Sequence, residues 1–123
     1  MNAHTQARKI YAASSVTTKT SRNIEFSVLA KVTGALHQAT QNKSKDFPKF
    51  VQALNDNRTL WSIFVDDLYD PENGLDQSLR VQLIELGLFV QKHTSNVLSA
   101  KASVTPLLEI NAAILRGLKD GPK

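Results

Sequence analysis

Five carboxylates crowd one short stretch of this chain. Asp66, Asp67, Asp70, Glu72 and Asp76 lie within eleven residues, around an Asn73-Gly74 pair. Oxygen donors at that density raise the chemistry of a calcium loop. Such a loop needs oxygen ligands at positions 1, 3, 5 and 12 around a glycine at position 6. With Gly74 sixth, those positions fall on Tyr69, Pro71, Asn73 and Arg80, and only Asn73 can serve. Spacing rather than charge count defines a metal site. The stretch is therefore expected to be a solvated helix end and turn, with Asp76 placed to suit the dipole of the helix that follows.

The remaining candidates for chemistry fall in the same way. His4, His37 and His93 each lack a second ligand at i+3 or i+4, so each is expected to be structural or superficial. Asp66 and Asp67 are adjacent and point to different parts of a helix surface, which is poor geometry for shared acid–base work. There is no Gly-x-Ser-x-Gly and no phosphate-binding glycine loop. There is no cysteine, so no thiolate nucleophile, thiolate metal site or disulfide. No enzyme, metal or cofactor is expected.

Two side chains ask for partners of another kind. Trp61 is the single tryptophan, beside Leu60 and within reach of Phe64 and Val65. Core packing is its default role. A partly exposed Trp next to Arg58 would instead be a binding anchor. Asn111 stands on an apolar helical stripe, so its amide needs a partner; a loop or a neighbouring helix is expected ahead of a ligand.

The elements that position these residues follow from periodicity. Five helical stretches are expected. The first, from about Ala3 to Ala13, holds Ile10 and Tyr11 and little else to bury, so alone it is marginal. Residues 1–16 are thus either mobile or docked on something. A second helix starts at a Thr20 or Ser21 cap and carries Ile24, Val28, Leu29, Val32, Ala35, Leu36 and Ala39. Gly34 interrupts it, and close approach of another helix is the expected reason. The third starts at Asp46 or Phe47-Pro48, with Asn55-Asp56-Asn57 as a point where it can break before resuming to Leu68. After the Asp70–Gly74 turn, a fourth helix runs to Leu98. Its main stripe is Leu79, Leu83, Leu86, Val90 and Val97, and Ile84, Leu88 and Phe89 widen it around the helix. A segment apolar on most sides is expected at the centre of a bundle. Ser103-Val104-Thr105-Pro106 opens the fifth. The fold expected is all-α: a small bundle of about five helices, up-and-down or orthogonal, in one domain spanning 1–123.

Bulk properties agree. The chain has 123 residues, 41% hydrophobic and 21% charged, as in a globular protein. No apolar run nears the roughly 20 residues that span a bilayer, and the N-terminus lacks the apolar core of a signal peptide. Cytoplasmic location without membrane insertion is the expectation. The net charge of +4 is uneven: +6 over residues 1–55, −5 over 56–76 and +3 over 77–123. Such a dipole can steer a charged partner. The basic residues are widely spread and not interleaved with stacking aromatics, so direct RNA binding is disfavoured without being ruled out.

The order and spacing of several pieces resemble the FlaF-type flagellar biosynthesis regulators of alphaproteobacteria. The pieces are Ala7 and Tyr11, Glu25-Phe26 with Leu29-Ala30-Lys31-Val32-Thr33, Asn57-Arg58-x-Leu60-Trp61, Asp67-Leu68 and Asn73-x-Leu75. They continue with Leu79-Arg80-x-x-Leu83, Leu86, Leu107-x-x-Ile110-Asn111-x-x-Ile114 and Gly117-Leu118. Each is a helix-packing pattern; together they cover nearly the whole chain. The resemblance implies a protein required for flagellin production and filament assembly. Members resemble regulators or secretion chaperones of flagellin, working alongside the translational regulator FlbT. No cofactor or catalytic residue is implied. Two mechanisms are open: a chaperone whose apolar groove covers amphipathic helices of flagellin, with the N-terminal helix opening or closing it, or a regulator of flagellin mRNA acting directly or through FlbT. Tyr11, Phe26, Arg58, Leu60 and Trp61 are the candidate partner-binding residues.

Overall fold

The computed structural model describes residues 18–120, and side-chain surroundings for 26–117. The expected helix at Ala3–Ala13, and Tyr11 with it, lie outside the described residues. The described chain is all-α: α1 (Thr18–Gln41), α2 (Phe47–Tyr69), α3 (Gln77–Leu98) and α4 (Thr105–Asp120). These are the second to fifth helices expected from the sequence.

Local chemistry explains each boundary. Asn42 ends α1 by donating its side-chain amide to Gln38 O at 3.0 Å. Asp46 caps α2, its carboxylate accepting from Lys49 N at 3.2 Å, and Pro48 sits in the first turn where an N–H is not needed. Asp76 caps α3 in the same way through Ser78 N at 3.1 Å. Ser103 accepts from Thr105 N at 3.1 Å before α4. At the end of α3, Lys101 N donates to Asn96 O at 2.8 Å and Ala100 N to Val97 O at 3.0 Å. This is a Schellman closure, and it puts Ala100 at φ 62°, where glycine is usual.

α2 does not break at Asn55-Asp56-Asn57. Their side chains are committed elsewhere and do not compete with the helix backbone. Asp56 accepts from Gln52 at 2.8 Å, Asn55 accepts from Arg58 at 2.9 Å, and Asn57 faces the core.

Short loops fold each helix back on the one before. α1 packs on α2 and α4, α2 packs on α1 and α3, and α3 meets α4 least. One core cluster joins Leu36, Ala39, Phe50, Leu54, Trp61, Val90, Val104 and Leu107. It gathers the end of α1, the starts of α2 and α4 and the last half of α3, so the α1–α2 and α3–α4 loops share one end of the bundle. A second cluster, Leu29, Val32, Leu60 and Ile63, lies toward the other end, with Ile114 and Leu115 packed against it.

The glycine expected to admit a close helix is a different one. Gly34 has open space where a side chain would go. Gly87 of α3 is the one pressed against α2: a Cβ there would overlap Val65 Cγ2 and sit 3.5 Å from Trp61 Cε3.

Candidate partner-binding surface

The four described candidates from the sequence do not form one exposed surface. Leu60 and Trp61 are core residues, each 1% exposed. The core role of Trp61 is thus the one realised, and a partner meets neither side chain while the bundle is closed. Phe26 is half-buried on α1. Arg58 is half-buried between α2 and α3, donating to Asn55 Oδ1 and to Ser95 Oγ at 3.2 Å. It belongs to a polar seam in which Gln91 Nε2 donates to Arg58 O at 3.2 Å and to Ser62 Oγ at 2.9 Å.

Trp61 has a polar neighbour that its sequence position did not announce. Its indole N–H donates to Asn111 Oδ1 at 2.9 Å. Asn111 Nδ2 donates to Asn57 Oδ1 at 2.7 Å and to Thr33 Oγ1 at 3.0 Å. Three helices therefore meet through one fully buried amide. The helical partner expected for Asn111 is present.

The acidic turn is built as a turn. Asp70 Oδ1 accepts from Glu72 N at 2.9 Å, Asn73 Nδ2 donates to Asp67 Oδ2 at 2.8 Å, and Asn73 Oδ1 accepts from Leu75 N at 3.0 Å. Of the five carboxylates, those of Asp67, Asp70 and Asp76 accept from amide or backbone donors, and Asp66 and Glu72 are exposed. His37 is exposed beside Gln41, and His93 donates from Nε2 to Ser103 O at 2.7 Å.

The surface that stands out is on α3. The helix was expected at the centre of the bundle because apolar residues surround it. Instead only Gly87, Val90 and Thr94 of it are buried. Periodicity shows that a face is apolar, not that the fold covers it. The surplus face lies bare: Val81 is 49% exposed, Leu88 55% and Phe89 43%, with Ile84 half-buried between them. Val81, Ile84 and Leu88 fall at i, i+3 and i+7 and share a side of the helix. Phe89 stacks on His93, ring centroids 5.0 Å apart. Exposed Glu85 and Lys92, one turn on from Val81 and Leu88, lie along one edge of the stripe, between it and Phe89. Exposed apolar residues arranged along one side of a helix are the form a docking surface takes.

A family model for the flagellar protein FlaF matches residues 7–118. The chain belongs to the FlaF family. No curated protein and no solved structure matches it. Membership makes this a flagellar protein, and it assigns the resemblance pieces a structural meaning. Asn57, Trp61 and Asn111 of the FlaF-like pattern form the buried network, and Leu29, Val32, Leu60 and Leu107 are core. The pattern that identifies the FlaF chain is largely what holds its bundle together. Val81, Leu88 and Phe89 stand outside it. The widening of the α3 stripe by Ile84, Leu88 and Phe89 is the signal for this face in the sequence; Val81 lies outside that reading. No described helix is long and apolar enough to cross a membrane.

Proposed function

We propose that this protein binds flagellin before export, as a secretion chaperone, and that the bare face of α3 seats an amphipathic helix of the cargo. The observation that carries this is the exposed Val81-Ile84-Leu88 stripe, on a helix whose other side already supplies the core. Flagellin's terminal segments expose apolar helical faces until they pack in a filament, and such faces need cover. A helix-on-helix contact with i, i+3 and i+7 anchors offers it. The role involves binding alone: no catalytic step or cofactor enters.

Calorimetric titration of flagellin monomer into the purified protein, at low and high salt, tests this. One defined complex that persists at high salt is the expected result, because apolar contacts are not screened. Replacing Val81 and Leu88 together by Ser weakens the complex and leaves the helical signal unchanged. Absence of binding at both salts removes the chaperone role and turns attention to FlbT and the flagellin transcript.

A further inference from the structure

The uneven charge of the sequence becomes polar in space. The α1–α2 and α3–α4 loops share one end of the bundle, through the core cluster that joins Phe50 and Val104. That end carries Lys43, Lys45, Lys49 and Lys101, all exposed. Its two loops with the first turn of α2, residues 42–49 and 99–104, hold a single acid, Asp46, whose carboxylate is occupied as the α2 cap. In their midst Phe47 is 53% exposed, an aromatic ring presented to solvent at the first turn of α2. The loop around it is tightly closed, with Lys45 N and Asp46 N both donating to Asn42 O at 3.0 and 2.9 Å. Lys43 lies over the Phe50 ring at 5.4 Å, and Phe50 in turn packs against Phe47 at 6.0 Å. The acidic loop, with Asp70, Glu72 and Asp76, follows the last turn of α2, which carries Asp66 and Asp67, at its far end.

We infer that this end of the bundle is a docking surface for an anionic lipid membrane, touching it end-on with Phe47 among the headgroups and the four lysines around it. Lysines near an anionic leaflet each add attraction, and their stems let the ammonium groups reach headgroups while an apolar ring sits deeper. Strand-binding proteins instead line a basic groove with several stacked aromatics. Here, among the described residues, one aromatic protrudes from a closed end, which suits a plane. The charge distribution also sets orientation: the acidic loop is repelled from the same surface that attracts the lysines. The contact is peripheral and buries no spanning segment. It is independent of the α3 face and stands whether or not flagellin is the cargo.

The test is co-sedimentation of the full chain with vesicles of phosphatidylcholine alone and of phosphatidylcholine with phosphatidylglycerol. Binding to the anionic vesicles only, lost at high salt, is expected. Each Lys→Gln substitution at 43, 45, 49 or 101 lowers partitioning roughly fivefold. Phe47→Ser lowers it by about tenfold with the salt dependence retained. Arg116→Gln, an exposed change on the last turns of α4, leaves it as it was. Equal binding to neutral vesicles, no binding to anionic ones at low salt, or retention after all four lysines are replaced overturns the proposal. So does tighter binding of a fluorescent oligouridine that the same substitutions abolish, which would assign the surface to RNA.

Discussion

The indole nitrogen of Trp61 donates to Oδ1 of Asn111 at 2.9 Å, and this bond fixes the direction of every amide around it. Indole N–H can only donate, so Asn111 must turn its oxygen toward it. The amide nitrogen of Asn111 then faces α1 and α2, where Thr33 Oγ1 and Asn57 Oδ1 accept. Asn57 is left with its Nδ2 buried and without a partner among the described residues. A single donor-only ring thereby orders three side chains on α1, α2 and α4.

Replacing Asn111 with Leu keeps the branching at Cγ, adds some volume, and removes both functions of the amide. The Trp61 N–H and the Asn57 carbonyl then lie in hydrocarbon without partners. Each such group costs about 1–3 kcal/mol, so the variant is expected to lose about 2–6 kcal/mol. Urea unfolding followed by the fluorescence of Trp61, the only tryptophan, measures it directly. A variant as stable as the parent would mean that the network contributes shape and little energy.

Gly34→Ala and Gly87→Ala should move stability in opposite directions. At 34 the added methyl meets nothing, and an exposed helical glycine gives way to the best helix former, a gain of about 0.5–1 kcal/mol. At 87 the methyl is driven into Val65, whose short branched side chain has little room to yield, and a loss of about 1–3 kcal/mol is expected. Thermal or urea midpoints of the two variants side by side check the contrast. Equal shifts would contradict the close approach of α3 to α2.

Ala100→Gly should stabilise the protein by about 1 kcal/mol. The Schellman closure holds this residue at φ 62°, which disfavours a Cβ and suits glycine. The greater freedom of glycine in the unfolded chain offsets part of the gain. A urea midpoint at or below that of the parent would show that Ala100 carries no strain.

Much of this architecture was legible in the chain. Asp46 and Asp76 marked the starts of α2 and α3 by their type and place, and the three- and four-residue steps of Leu29, Val32, Leu36 and Ala39 marked the inner side of α1. Two features were not legible because they depend on what lies opposite. Asn55-Asp56-Asn57 carried the composition of a helix break, and only the tertiary placement of Asn57 and Arg58 shows why the helix continues. The apolar circumference of α3 was equally consistent with a central helix, and only the bundle shows that one side meets no other helix among the described residues. Of the candidate contact residues, Leu60 and Trp61 carried the signature of core and anchor alike, and burial decides for core.

The Trp61–Asn111 bond also works as a key between helices. Sliding α4 by one turn in either direction would bring Leu107, Leu108, Ile114 or Leu115 to the indole in place of Asn111. None of these side chains has an acceptor. Apolar packing alone would tolerate such a slip, since leucine replaces leucine along the stripe. With the indole N–H buried, only one alignment of α4 satisfies it, and the bundle is left with a single register in place of several near-equal ones.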